Sequence, residues 1–202
     1  RSLTGFHEPQ GVAFIESLGR LFVSNGGTGA VNSFDSESLQ PLAAVKFSGD
    51  ADNVRYDAAA GQLYVGYGDG ALGIVDAKDG KHVGEVKLAG HPESFQLEDT
   101  GARIFVNVPN ASQIAVVDRL TRRVVTTWAL PDARANFPMA LDEANHRLFV
   151  GFRQPAKVII FDNRYHFRLE NGAWHQPRCR EEWTKSKRVF DHRSTIGKAA
   201  AM

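Results

Sequence analysis

One short strand pattern occurs four times along the 202-residue chain at a nearly constant spacing. The four copies lie 42, 41 and 44 residues apart at Leu21-Phe22-Val23, Leu63-Tyr64-Val65, Ile104-Phe105-Val106 and Leu148-Phe149-Val150. A later apolar run in each unit ends in an aspartate, at Asp35, Asp76, Asp118 and Asp162. A repeat of about forty residues with several short strands is typical of a β-propeller blade. We therefore predict an all-β fold of four-stranded antiparallel blades.

Each unit is predicted to contain an inner strand, a second strand that carries the triplet, and a third strand that ends at the aspartate. The inner strands are expected at 11–14, 53–56, 94–97 and 138–141, and fourth strands at 42–47, 83–88 and 124–130. These segments are rich in β-branched and aromatic residues and are bounded by turn formers. Blades bury their faces only against neighbouring blades. An open arc of about four blades therefore exposes two apolar faces, which favours self-association.

The repeats at 1–162 are followed by a tail at 163–202 in which the pattern stops. The tail contains nine Lys/Arg and four Asp/Glu, which gives it a net charge of +5. The repeats contain fifteen Lys/Arg and nineteen Asp/Glu, which gives −4, and the two parts sum to the net charge of +1. We expect no fourth strand in the tail. Three interpretations are open: a disordered basic arm, a small segment that docks on the last blade, or a frame-shifted or truncated sequence, which the abrupt change favours. Cys179 is the only cysteine, which excludes an intrachain disulfide.

The repeat strands resemble a known bacterial family. Leu63-Tyr64-Val65-Gly66 and the segment 21–26 resemble the Tyr-Val-Thr-Asn (YVTN) repeat of YncE-like β-propellers, and segments 50–57, 91–95 and 135–140 are similar to one bacterial branch of it. The resemblance covers residues 8–162 and excludes the tail. It implies a seven-bladed, WD40-like ring that is exported to the periplasm or cell surface, without established enzymatic activity in most members. It also implies kinship with lactonases of the same architecture, and one such propeller is associated with single-stranded DNA binding.

Polar residues directly before the inner strands form the main candidate site. Because inner strands surround the central channel of a propeller, these positions should form a ring at one channel mouth. Asp52 and Glu93 are candidate ligands of a hard cation such as Ca²⁺, which could polarise a lactone or ester carbonyl. Arg55 and Gln96 occupy an inner-strand position that holds Ala13 and Ala140 in the other units, which suggests contact with channel water or a ligand. The candidate ligand-binding residues are Gln10, Asp52, Asn53, Arg55, His91, Glu93, Gln96 and Asn136.

These residues also have structural interpretations. Asp, Asn and Pro are common in short loops, where their side chains satisfy backbone groups. Arg55 could form a buried ion pair with Asp52 or Asp57. The strand-end aspartates recur in every unit, so we predict that they cap turns. The stretch 68–73 has the GxGxxG spacing, but a strand and not a helix is expected after it, so we predict a hairpin turn there.

The sequence contains no Gly-x-Ser-x-Gly elbow and no His-Glu-x-x-His motif. We therefore expect a non-enzymatic cell-envelope scaffold that binds a small molecule or a protein at the channel mouth. The alternative is a metal-assisted, lactonase-like hydrolase that uses Asp52 and Glu93 with Asn53 and Asn136 at the same place. A third hypothesis is single-stranded DNA binding through basic and aromatic residues of the tail. No apolar stretch is long enough to span a membrane.

Overall fold

A computed structural model describes residues 1–164, 167–170 and 173–175, the last two segments as backbone only. These residues form four antiparallel sheets, and each sheet is one repeat unit. Blade 1 contains β1 (Pro9–Ile15), β2 (Arg20–Asn25), β3 (Ala30–Asp35) and β4 (Pro41–Lys46). Blade 2 contains β5 (Val54–Asp57), β6 (Gln62–Tyr67), β7 (Ala71–Asp76) and β8 (His82–Lys87). Blade 3 contains β9 (Phe95–Leu97), β10 (Arg103–Val108), β11 (Gln113–Asp118) and β12 (Arg123–Ala129). Blade 4 contains β13 (Arg134–Asp142), β14 (Arg147–Gln154), β15 (Ala156–Asp162), β16 (Phe167–Glu170) and β17 (Ala173–His175).

The strands of every blade pair in chain order, as expected for a propeller blade. The predicted propeller fold of four-stranded blades is confirmed, and the structure extends most predicted strands at their ends. The stretch 68–73 joins β6 to β7, with Gly68 at a φ of 57° and Gly70 at 154°. Only glycine adopts such angles without steric cost, so the predicted hairpin is confirmed and a dinucleotide loop is excluded.

The strand-end aspartates cap the turns that follow them, as predicted. Asp35 Oδ1 accepts hydrogen bonds from the backbone N–H groups of Glu37 (3.2 Å) and Ser38 (2.7 Å). Asp76 and Asp118 accept equivalent bonds from residues two or three positions later. Hydrogen bonds stabilise the charged carboxylates: the Ser38 hydroxyl, with the Ser38 backbone N–H, lowers the pKa of Asp35, and the Thr121 backbone N–H lowers the pKa of Asp118. The recurrence of these aspartates therefore reflects turn geometry and not catalysis.

The hydrophobic core lies between blades. Each of three clusters joins second- and third-strand side chains of one blade to inner- and second-strand side chains of the next. We call each such contact a joint. Examples, in chain order of the joints, are Phe22 and Val31 with Val54 and Leu63, Tyr64 and Leu72 with Phe95 and Ile104, and Phe105 and Ile114 with Met139 and Leu148.

The expectation that no fourth strand follows Asp162 is wrong. Strand β16 pairs with β15 through Phe161↔Arg168 and Asp162↔Phe167, and β17 pairs with β16. Blade 4 thus continues past the predicted boundary at residue 162. The remaining interpretations of the tail, including those that involve Cys179, concern residues outside those that the structure describes.

Within the described part of the chain, no helix has the length and apolar character needed to cross a membrane.

We predict that Gly73→Ala lowers the free energy of unfolding by about 1–3 kcal/mol. Phe47 packs over this glycine of β7 in the joint between blades 1 and 2, and an added Cβ would overlap the Phe47 ring. Phe47 cannot move freely because its ring also lies 4.5 Å from the Tyr67 ring. Urea unfolding measures the loss.

Gly49→Ala is the matched control, because a Cβ at Gly49 would meet nothing within 4 Å. Its effect should stay within about 0.5 kcal/mol. Equal losses in the two variants would contradict the packing argument.

Candidate functional site

Consecutive inner strands, β1, β5, β9 and β13, are neighbours in space. The segments at the start of these strands, or directly before it, therefore meet at one end of the arc, which we call the channel mouth. In chain order they are residues 7–10, 50–53, 91–94 and 134–137, of which 9–10 already belong to β1 and 134–137 to β13.

Three carboxylates and one imidazole from blades 2 and 3 form the centre of the channel mouth. His91 Nε2 lies 3.7 Å from Asp50 Oδ2 and 4.0 Å from Asp52 Oδ2. Glu93 interacts electrostatically with both aspartates and with His91. We call Asp50, Asp52, His91 and Glu93 the mouth cluster.

The imidazole of His91 has a defined orientation. His91 Nδ1 lies 2.6 Å from the carbonyl oxygen of Gly68. A carbonyl only accepts hydrogen bonds, so Nδ1 carries a proton and donates it. Nε2 faces the carboxylates, and it can donate to them only when the ring is a charged imidazolium.

The carboxylates of the mouth cluster carry negative charge that their surroundings do not fully offset. Burial raises the pKa of Asp52, although the nearby His91 opposes the shift. Burial also raises the pKa of Glu93, and the charge of Asp52 adds to that effect. Desolvation and like-charge repulsion disfavour ionised carboxylates. A positively charged group at this position would be stabilised.

Two predicted amide residues support the aspartates. Gln10 Nε2 of blade 1 donates to Asp50 Oδ1 over 3.1 Å, and Asn53 Nδ2 donates to Asp52 Oδ2 over 3.1 Å. The mouth cluster and the amides that support it therefore come from three blades. A cavity of about 310 Å³ opens beside it, lined by Ser48, Gly49, Asp50, Gly68, Asp69 and His91.

Arg55 lies one residue layer below the mouth cluster. Its guanidinium donates to the carbonyl oxygen of Val54 over 2.8 Å and lies 5.7 Å from the centre of the Phe95 ring. Burial lowers the pKa of Arg55, and the charge of Asp52 opposes this. Asp57 forms its ion pair with Arg119 of blade 3, at 3.0 Å. Arg55 is thus associated with Asp52 and with the joint between blades 2 and 3.

Gln96 and Asn136 hold blades 3 and 4 together. Gln96 Nε2 donates to the carbonyl oxygen of Met139 over 3.0 Å. Asn136 is fully buried, and its Nδ2 donates to Asn107 Oδ1 (2.9 Å) and to the carbonyl oxygen of Gln113 (3.1 Å). The structure therefore gives these two candidate residues clear structural contacts within a joint.

Among the described residues, no three His, Cys, Asp or Glu side chains are placed so that they could hold a metal ion together. Asp52 and Glu93 alone would leave most of the six to eight oxygen positions of Ca²⁺ to other ligands. A calcium site at these two residues remains a prediction.

Two residues of the mouth were not singled out from the sequence. Asp50 faces His91, although its sequence position resembles an ordinary turn. Arg153 of blade 4 stacks on Phe137, with 4.0 Å from its guanidinium carbon to the ring centre, and its charge acts on Glu93. Neither residue recurs at equivalent positions in other units, so the repeat offers no signal for them.

Comparison with known proteins supports the fold alone. The sequence matches no protein-family model and no curated protein. The computationally designed Ika4 protein superposes with a TM-score of 0.64 at 14% identity, over 79% of this chain and 94% of that one. A chain of the mitotic checkpoint complex gives a TM-score of 0.68 at 16% identity, over 78% of this chain and 48% of that one. Dihydro-heme d1 dehydrogenase NirN in complex with DHE gives a TM-score of 0.66 at 10% identity, over 79% of this chain and 36% of that one. The chain thus spans half or less of these last two structures.

We predict that Glu93→Gln is more stable than the wild type at pH 7. The native state binds the Glu93 proton more tightly than the unfolded chain does, so wild-type stability falls as pH rises from the ordinary value of 4.5 through the raised pKa. Glutamine carries no charge and escapes this loss. The difference should vanish as pH falls below 4.5. Thermal unfolding between pH 3 and 8 measures it.

Glu37→Gln, at an exposed turn of blade 1, is the control for a simple change in net charge. An equal gain in this variant would show that global charge, and not the mouth cluster, causes the effect.

Proposed function

We propose that this chain is a non-enzymatic β-propeller of the YncE-like, YVTN-repeat type that acts as a binding scaffold in the cell envelope. The propeller fold and the triplet-bearing second strands support this assignment, and the envelope location rests on the sequence resemblance. The mouth cluster supplies the binding site. Its location at the channel mouth is one at which propeller loops from several blades can contact one ligand.

The main supporting observation is that three carboxylates from two blades lie close together beside an open cavity, which Asp50 and His91 line. Asp52 is 8% exposed, yet it has a second aspartate and a glutamate close by. A cationic ligand group would lower the repulsion between these carboxylates and would accept their charge-assisted hydrogen bonds. The proposed ligand class is therefore a compound with ammonium or guanidinium groups, or a basic side chain of a partner protein.

Spermidine is a suitable probe for this proposal, and calorimetric titration at 150 mM salt is the measurement. We expect wild-type protein to bind spermidine and the double variant Asp50→Asn/Asp52→Asn to bind it at least about tenfold more weakly, since each lost charge-assisted hydrogen bond removes about 1.5–3 kcal/mol.

The double variant Glu37→Gln/Asp99→Asn changes the net charge equally at exposed positions away from the mouth. It should bind as the wild type does. If both double variants lose affinity to the same degree, binding reflects overall charge and the proposed site is wrong.

A metal-assisted, lactonase-like hydrolase is the second candidate. Burial raises the pKa of Glu93 and the charge of Asp52 adds to this effect, and a hard cation between the two carboxylates would relieve their repulsion. If this candidate is right, CaCl₂ should raise the melting temperature of the wild type and not that of Asp52→Asn, since a ligand of the native state raises apparent stability. Release of acid from a lactone under the same conditions would support hydrolysis, whereas a calcium-insensitive melting temperature would exclude it. Salt-sensitive binding of a single-stranded oligonucleotide would instead favour the third hypothesis.

A further inference from the structure

Arg55 is a half-buried arginine of β5 whose guanidinium forms no ion pair with the described residues. The sequence left open an ion pair with Asp52 or with Asp57. Asp57 instead pairs with Arg119, and no carboxylate oxygen in the described part of the chain lies within 4.0 Å of the Arg55 guanidinium. A positive charge on an inner strand, one layer below the mouth cluster, therefore has no carboxylate in contact with it.

The guanidinium also has hydrogen-bond donors that face solvent. Arg55 Nη1 donates to the carbonyl oxygen of Val54 over 2.8 Å, whereas Nε and Nη2 have no acceptor within residues 1–164. Neither of these two nitrogens is enclosed by the protein. Burial lowers the pKa of Arg55, and the charge of Asp52 opposes this shift. An anion that accepted the open N–H groups would stabilise the charged guanidinium.

The other arginines near the joints do not have this character. Arg103 and Arg119 are also half-buried, but each forms an ion pair with a carboxylate. Arg153 is exposed and stacks on Phe137, so water screens its charge. The position of Arg55 holds alanine in blades 1 and 4, so packing of the blades does not require an arginine there. Arg55 is therefore the most suitable anion-binding side chain near the mouth cluster.

Asp52 presents an open carboxylate oxygen close to this guanidinium. Its Oδ2 accepts from Asn53, whereas Oδ1 has no hydrogen-bond partner among the described side chains and is not enclosed. Burial is the main cause of the raised pKa of Asp52 and of the lowered pKa of Arg55, and each charge also acts on the other group. A carboxylate and a guanidinium that lie near each other, and are both open to solvent, can bind one ligand that carries both charges.

The cavity beside the mouth cluster offers a place for a second positive charge. Its volume is about 310 Å³, and its lining includes the carboxylates of Asp50 and Asp69. Asp69 is exposed on the turn between β6 and β7. An ammonium or guanidinium at the end of an aliphatic chain would bind between these carboxylates through charge-assisted hydrogen bonds.

We propose that the mouth cluster and Arg55 together bind a free basic amino acid. This inference rests on the proposed function, and it narrows the cationic ligand to a compound that also carries a carboxylate. The planar fork of Arg55 donates to the α-carboxylate of the ligand, and Asp52 accepts from its α-ammonium. The charged end of the ligand's side chain lies in the cavity with Asp50 and Asp69.

L-Lysine and cadaverine are matched probes, because cadaverine is lysine without its carboxylate. A site that recognises positive charge alone would bind the doubly charged cadaverine more tightly than lysine. We expect the 202-residue chain to bind lysine at least as tightly as cadaverine, because Arg55 binds the carboxylate. Calorimetric titration at about 150 mM salt measures both affinities.

Arg55→Met keeps an apolar side chain against the Phe95 ring and removes the guanidinium. It should weaken lysine binding about tenfold or more relative to cadaverine binding, since charge-assisted hydrogen bonds to the carboxylate are lost. Arg55→Lys retains the charge without the fork and should show a smaller loss. Arg123→Met removes the same group at an exposed position of the outer strand β12, and it should leave both affinities unchanged. Circular dichroism checks the fold of each variant.

Nα-Acetyl-L-lysine distinguishes a free amino acid from the C-terminal lysine of a peptide. It keeps the carboxylate and the side-chain ammonium but has no α-ammonium for Asp52. We expect it to bind about tenfold or more weakly than lysine. Equal binding of the two compounds would show that the ligand is not a free amino acid.

The same titrations separate failure of this inference from failure of the proposed function. An equal ratio of lysine to cadaverine affinity in the wild type and in Arg55→Met would show that Arg55 binds no carboxylate, although the cationic site would stand. If Arg55→Met does not fold, a wild-type preference for cadaverine overturns the inference by itself. Binding of spermidine without binding of lysine would overturn it in the same limited way, whereas failure of spermidine, lysine and cadaverine to bind would overturn both.

Discussion

Face-to-face packing of one blade on the next is the interaction on which the rest of this structure depends. Fully burying a Val, Leu or Phe side chain contributes about 1.5–3 kcal/mol, whereas a typical hydrogen bond contributes about 0.5–1.5 kcal/mol. Each joint buries many such side chains, including Phe22, Leu63 and Val65 at the first one. Apolar burial therefore supplies most of the stability of the joints.

The mouth cluster is a consequence of the joints. Stacking blade 3 on blade 2 brings His91 beside Asp50 and Asp52, although about forty residues separate them in the chain. The same packing removes water from Asp52 and raises its pKa. Carboxylates held together in this way repel each other and destabilise the native state, and Gln10 and Asn53 stabilise the two aspartates through their amide hydrogen bonds. The geometry is suited to a ligand that brings positive charge.

Prediction from the sequence succeeded where one residue type has one local role and failed where the role depends on a neighbouring blade. The strand-end aspartates were identified as turn caps because a cap involves only the next three residues. Asn136 resembled a mouth residue, yet its amide is buried between blades. The strand at Phe167–Glu170 was missed because it lacks the repeat's composition. The dipeptide Asn171-Gly172 between it and β17, a common hairpin signal, could have indicated it.

The sequence by itself determined the blades, because the alternation of apolar residues, the turn formers and the recurring aspartate all act within one unit of about forty residues. Only the tertiary structure decided which polar residues meet at the channel mouth. It also decided that Val12 and Val158, which look like ordinary core positions in the repeat, are exposed. The physical reason is that a blade specifies its own hydrogen bonds, whereas burial and electrostatic environment depend on the blade that stacks against it.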